Sequence, residues 1–203
     1  MKFYDSVGPN PRIVRMFMAE KGIDIEKQTV DVRGGENRGE AHLARNPMGQ
    51  MPTLELDDGS YLSEITAICE YLEEKNPNPP MIGATPEQRA ECRMWTRRVD
   101  LNICEPLANG YRFDEALKFF EKRIPVAPEA APGLKRIAAV RLQWLNGQLE
   151  GKTYLCGERF TLADILLFGW VEFANRAGQP LDPANANIMA WMARVAERPS
   201  AKA

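Results

Sequence analysis

"NPMGQMPTLELDDGSYLSEITAICEYLEE", residues 46–74, changes its apolar period once, and that change decides the fold. Leu54 and Leu56 alternate with Thr53 and Glu55, the two-residue period of a strand. Asp57-Asp58-Gly59-Ser60 then supplies a turn, so the strand doubles back as a hairpin. From residue 65 the period becomes helical, with Ile65, Ile68, Tyr71 and Leu72 on one side.

Upstream, short segments of both kinds alternate. "KFYDS" (2–6) reads as a strand, followed by a helix from Pro11 to Lys21 that Gly22 ends. Asn10 is of the N-cap type and Pro11 suits the first helical position, which predicts the helix start there. Val30 and Val32 alternate as a second strand, and "EAHLARN" (40–46) reads as a short helix. The resulting order is βαβαββα.

Downstream, "NPNPPMIGATP" (76–86) is proline-rich and unsuited to helix or central strand, so the expected division is 1–76, a linker at 77–85, and 86–203. Thr85, Pro86 and Gln88 open a helix that is expected to run through residues 87–111. Ile137, Val140, Leu142, Leu145 and Leu149 keep helical spacing, and residues 187–200 close the chain as another helix. In "GERFTLADILLFG" (157–169), Thr161 and Asp164 predict a reciprocal capping box, with Phe160 placed to staple onto Ile165. That signal is a folding device and carries no chemistry.

Composition narrows the function classes. Lys and Arg number 26 against 28 Asp and Glu, a net charge of -2 with no basic stripe, which argues against a nucleic-acid partner. No apolar run approaches the ~20 residues of a membrane helix, and the first residues lack a signal-peptide core, so a cytoplasmic protein without a membrane role is expected. The cysteines, Cys69, Cys92, Cys104 and Cys156, include no C-x-x-C pair, which argues against a zinc site or a redox dithiol. The single histidine, His42, gives no basis for a metal centre or a Ser/His/Asp triad and is expected at the surface.

Residues 46–74, together with the helical remainder and its "FTLADILL", resemble the cytosolic glutathione transferases across nearly the whole chain. The resemblance implies an α/β thioredoxin-like N-terminal domain that holds glutathione and an all-α C-terminal domain that receives a small electrophilic second substrate. It also implies a homodimer using the helix after Ser63 and the long helix from Pro86, where Met94, Trp95, Val99, Leu101 and Ile103 lie around the axis.

Site residues follow from the same resemblance. Pro52 is expected to be cis, with the Met51 N–H and C=O bonding the cysteine of glutathione. Glu64 precedes a helix whose free amides attract the ligand's α-carboxylate, leaving Glu64 to pair with the adjacent ammonium. The family usually places a serine next; here the residue is Ile65, which removes one donor. Gln50 matches a position reaching the glycine end. The thiolate would meet the start of the first helix, with Asn10, then Ser6, then Tyr4 as candidate donors. Asn102, Glu105, Asn109 and Tyr111 are candidates to line the second-substrate site. The implied activity is conjugation of glutathione to a small apolar electrophile, or its reduction by glutathione. The alternative is a non-catalytic binding or scaffold protein of the same fold. A thiol-disulfide oxidoreductase is disfavoured because no cysteine occurs before residue 69.

Overall fold

The structure, a computed structural model, describes residues 1–203, which divide into two compact units. The first comprises Met1–Met81 with Lys202–Ala203, and the second Ile82–Ala201.

In the first unit, β1 (Lys2–Asp5), α1 (Pro9–Lys21) and β2 (Glu26–Thr29) form a parallel crossover. A 3-10 turn (Glu36–Arg38) and α2 (Glu40–Leu43) follow, then β3 (Thr53–Glu55), β4 (Tyr61–Ser63) and α3 (Ile65–Lys75). The sheet order is β2-β1-β3-β4, with β1 antiparallel to β3 and β3 antiparallel to β4. Strand alternation sends Phe3 and Tyr4 to opposite faces. Phe3 pairs with Leu54 across β1 and β3, and both are fully buried along with Ile13, Phe17, Ile68 and Leu72 of the helices. Tyr4 packs with Val30, Val32 and Met51. The hairpin turn closes through Leu56 N–H to the Ser60 carbonyl at 2.8 Å, with Asp58 accepting from the Ser60 N–H and Oγ.

Two boundaries differ from the sequence expectation. The second strand is Glu26–Thr29 and not the Val30/Val32 stretch, because β2 is an edge strand with mostly solvent-facing side chains and so lacks an apolar alternation. Val30 still donates its N–H to the Asp5 carbonyl at 2.8 Å, one residue beyond the strand. Helix α1 begins at Pro9, so Asn10 lies within its first turn and Gly8 takes the cap position. Gly8 has φ 115°, and a Cβ there would meet nothing within 4 Å; glycine is required for the backbone conformation, not for space.

Lys21, at the end of α1, is enclosed. Its ammonium pairs with Glu73 of α3 at 2.5 Å and donates to the Pro79 carbonyl at 2.7 Å, while Glu73 also accepts from the Met81 N–H. Residues 76–85 form neither helix nor strand.

The second unit contains α4 (Pro86–Val99), a π-helical turn (Asp100–Cys104), α5 (Glu105–Phe113), α6 (Leu117–Phe120), α7 (Ala131–Gln148), α8 (Leu162–Arg176) and α9 (Ala186–Ala196). Thr85 caps α4 by accepting from the Gln88 N–H. The helix expected over 87–111 is therefore interrupted by one widened turn. Pro106 has no N–H to return to the Asn102 carbonyl four residues earlier, and the π turn absorbs that lost bond. No helix is long and apolar enough to cross a membrane.

Asp164 is the polar centre of this unit. The capping box with Thr161 is present, and the fully buried carboxylate also accepts from the Leu155 N–H at 2.9 Å and from Trp191 Nε1 at 3.0 Å. Phe160, expected to staple onto Ile165, packs its ring on Tyr154 and beneath the Arg198 guanidinium. Burial pushes the Asp164 pKa up to about 6 against the pull of its donors. Asp164→Ala leaves the Thr161, Leu155 and Trp191 donors without an acceptor. At about 1–3 kcal/mol for each orphaned group, a loss of about 3 kcal/mol or more is expected as a lower urea midpoint for unfolding. An unchanged midpoint would remove Asp164 from this role.

Candidate functional site

The segment between α2 and β3 is irregular yet heavily hydrogen-bonded. Asn46 makes an Asx turn, its Oδ1 accepting from the Met48 N–H at 3.2 Å, and its carbonyl accepts from the Gly49 N–H at 2.8 Å. The Met48 carbonyl receives Arg38 Nη1, the Gly49 carbonyl receives Asn37 Nδ2 at 2.6 Å, and the Gln50 carbonyl receives Asn46 Nδ2 at 2.9 Å. His42 Nε2 approaches the same Gln50 carbonyl at 3.3 Å. Gly49, at φ 59°, runs so close to the Asn37 carbonyl that a Cβ would sit 2.9 Å from it. His42 is therefore interior, 2% exposed, and not the surface residue expected from sequence. Its reason for burial is this carbonyl.

One residue further on, the pattern stops. Met51 is buried, its bond to Pro52 is cis, and no hydrogen bond within the chain engages its N–H or C=O. β3 begins immediately afterwards at Thr53, whose Oγ1 is buried without a partner. The backbone of Met51 thus continues the line of a strand with its own polar groups unused, the arrangement to which an extended peptide can add.

The second element is the start of α3. Glu64 is the only non-glycine residue with positive φ, at 70°, and occupies the cap position with its side chain exposed. A glutamate held in the left-handed region is costly and clusters at functional sites. Its carbonyl accepts from the Ile68 N–H at 3.0 Å, so the helix begins directly behind it and no acidic residue occupies the first turn. Ile65 is the first helical residue and is half-buried.

The third element is the β1–α1 junction. Arg15 of α1 pairs with Asp5 at 2.5 Å and reaches the Ser6 carbonyl, fixing the junction. Ser6 Oγ donates to the Val30 carbonyl at 2.7 Å, and the Tyr4 hydroxyl donates to Glu55 at 2.7 Å, beneath the Arg45 guanidinium. Burial, then the Glu55 contact, pushes the Tyr4 pKa up to about 12. Both hydroxyls are thus spent inside the protein. Asn10 is different, because its Oδ1 is buried without a partner. Rotation about χ2 lets that amide offer either its oxygen or its NH₂ at the same place.

In the second unit, Asn109 bridges Glu105 and Arg112, with bonds of 3.1 and 3.0 Å, and Asn102 turns back to the Arg98 carbonyl. Tyr111 meets the edge of Phe173 at 4.9 Å and lies near Phe120. Desolvation lowers the Arg112 pKa.

A four-stranded mixed sheet with an unused backbone ahead of β3, followed by an all-helical unit, has clear relatives. Residues 7–75 match the family described as "Glutathione S-transferase, N-terminal domain", and residues 103–199 match "Glutathione S-transferase, C-terminal domain". The chain belongs to the glutathione S-transferase family. A solved glutathione S-transferase domain-containing protein from Marinobacter aquaeolei VT8 is 35% identical, covers 98% of this chain and 99% of its own, and superposes with a TM-score of 0.92. Glutathione S-transferase 2 of Saccharomyces cerevisiae is 28% identical over 100% of this chain and 88% of its own. Maleylacetoacetate isomerase of Pseudomonas aeruginosa is 34% identical over 83% of this chain and 78% of its own.

His42, Asn37 and Arg38 escaped sequence reasoning because they act on backbone carbonyls and leave no period. Asn46 had a readable signal in Asn-Pro-X-Gly, a turn signature. Asn46→Ala removes the Asx bond and one Gln50 contact together. Amide exchange at Met48 and Gly49 is expected to accelerate about tenfold or more while β1 is unaffected, since the lost bonds are worth roughly 1 kcal/mol each. Unchanged exchange would show that the loop is held by other contacts.

Proposed function

We propose that this chain is a glutathione transferase, joining the thiolate of glutathione to a small apolar electrophile or using it to reduce one. The observation that carries the reading is the Met51 backbone, unpartnered directly after Met48, Gly49 and Gln50, whose carbonyls each receive a side-chain donor. Glutathione is an extended tripeptide, and its cysteine residue can pair with that N–H and C=O. Glu64 takes the γ-glutamyl ammonium, and the free amides that open α3 take the adjacent carboxylate without the hydroxyl that Ile65 lacks. Gln50 lies toward the glycine end.

Asn10 is the thiolate partner. Its backbone N–H and side-chain amide, with the positive end of α1, favour loss of the thiol proton to solvent. With a chlorinated aromatic as acceptor, sulfur forms the new bond to ring carbon and chloride leaves with its electron pair. Catalysis consists of ionising the thiol and holding it beside the acceptor.

Titration of glutathione followed by turnover of a chlorinated dinitrobenzene tests the reading. Binding is expected, with an ultraviolet thiolate band near neutral pH. Asn10→Ala should raise the apparent pKa of the bound thiol and slow conjugation at neutral pH, with partial recovery in base, whereas Tyr4→Phe and Ser6→Ala leave that pKa in place. Glutathione binding without a thiolate band in any form would favour the scaffold alternative, and absence of binding would overturn both roles for Met51 and Glu64.

A homodimer is part of the same reading. Trp95, Val99 and Ile103 are buried within the second unit, but Met94 and Leu101 remain exposed, as do Ile137, Val140 and Trp144 along one side of α7. Such a stripe suits a partner copy. Sedimentation at micromolar concentration is expected to give twice the 22.9 kDa chain mass, and Val140→Glu to shift the protein toward the monomer. A 22.9 kDa species for the parent chain would remove the dimer from the reading.

A further inference from the structure

The spacing of the cysteines argues against a redox dithiol only for neighbours in sequence, and the fold of the second unit brings two distant ones together. Cys92 lies in α4 and is fully buried, and Cys156 lies in the tight turn ahead of α8, 4% exposed. That turn is closed by bridges pairing Tyr154 with Gly157 and Cys156 with Arg159. The two thiols are within hydrogen-bonding reach of each other. Thr96 Oγ1 stands 3.9 Å from the Cys92 sulfur, and Thr161 Oγ1 stands 3.7 Å from the Cys156 sulfur. An ion pair between Arg159 and Glu91 ties the same turn to the same helix, one residue from Cys92.

We propose that Cys92 and Cys156 form an oxidisable dithiol, a modification site that closes to an intrachain disulfide when the protein meets a hydroperoxide. The two thiols share one hydrogen-bonded cluster. The thiol of Cys156, with the Thr161 and Thr96 hydroxyls and the Ala163 N–H behind it, can donate toward the Cys92 sulfur and lowers its pKa against the opposing effect of burial. In that arrangement Cys156, as the donor, keeps its proton, its own pKa pushed up. Each sulfur has one threonine hydroxyl beside it, so either can be oxidised first and the other resolves it. The thiols of the remaining cysteines are pushed well up, by burial first and then by nearby carboxylates, Glu73 and Glu70 for Cys69 and Asp100 and Glu105 for Cys104.

The chemistry balances with the peroxide as the only oxidant. One of the two sulfurs, as thiolate, attacks a peroxide oxygen, the O–O bond breaks, and the departing oxygen takes a proton and leaves as water from hydrogen peroxide or as an alcohol from an organic hydroperoxide, giving a sulfenic acid. The other sulfur then displaces the sulfenic oxygen, which leaves as water carrying that thiol's proton. Two electrons pass from the two sulfurs to the peroxide. Burial of both sulfurs selects a small neutral oxidant over a bulky disulfide. The new bond would fix α4 to the turn that leads into the Thr161–Asp164 capping box. This proposal is independent of the glutathione site, all of whose residues lie in the first unit.

The reduced full-length protein treated with a modest excess of hydrogen peroxide, quenched and then denatured tests it. Free thiols are expected to fall from four to two, and the intact mass to fall by about 2 Da. A non-reducing tryptic digest should yield the Cys92 peptide joined to the Cys156 peptide, and dithiothreitol should restore all four thiols. Cys92→Ser and Cys156→Ser should each prevent the paired loss, while Cys69→Ser still loses two of its three thiols. Retention of four thiols in the parent protein, stable oxygen adducts in place of a link, or a link through Cys69 or Cys104 would overturn the assignment. The parent digest alone decides it if a serine variant fails to fold.

Discussion

The carbonyl of Gln50 is the point on which the architecture of the first unit's site depends. A buried loop carbonyl without a donor costs free energy comparable to a lost hydrogen bond, and an irregular segment cannot satisfy its carbonyls from its own ladder. Asn46 and His42 both turn toward Gln50, Asn37 serves Gly49, and Arg38 serves Met48. Their combined effect is to make one conformation of residues 46–51 the satisfied one. A backbone that is to meet a ligand must be rigid without being occupied, and these four side chains separate the two requirements.

The second unit solves a related problem with a carboxylate. Asp164 is fully buried, and a lone ionised group in that position would be prohibitive without donors. Its donors come from Thr161 at the cap, Leu155 in the preceding turn and Trp191 on α9, so one side chain joins three elements. The turn that carries Leu155 also carries Cys156, so Asp164 fixes the backbone next to that sulfur. A folding device and half of the proposed dithiol thus share residues 155–164.

Much of this was legible in the sequence because the decisive signals were local. The Leu54/Leu56 alternation, the Asp57–Ser60 turn and the Thr161/Asp164 box each complete themselves within a few residues, and each is present in the fold. The sequence places the start of α1 at Pro11 with Asn10 as its cap, two residues late, because two prolines occur there and both suit a first turn; only the φ of Gly8 distinguishes them. β2 was displaced because an edge strand with mostly polar, outward-facing residues has no apolar period to read. The interior position of His42 and the meeting of Cys92 with Cys156 depend on chain segments distant in sequence or on backbone carbonyls, and neither leaves a periodic trace. At the site, Met51, Pro52 and Glu64 could be named through a family likeness, whereas the commitment of the Tyr4 and Ser6 hydroxyls to Glu55 and Val30 required the tertiary structure.

The two prolines of α1 carry a further consequence. Helix starts that hold phosphate do so with several converging amides, each aimed at a different oxygen. In α1 the first and third helical residues are Pro9 and Pro11, so Asn10 supplies the one N–H among the three. The axial field of the helix is intact, but its directional donors are thinned to a single one. Such an end suits a large, polarisable monatomic centre that needs one donor, and it is a poor host for tetrahedral oxyanions. Inorganic phosphate and sulfate, which need several converging donors, are expected to bind weakly where α1 begins.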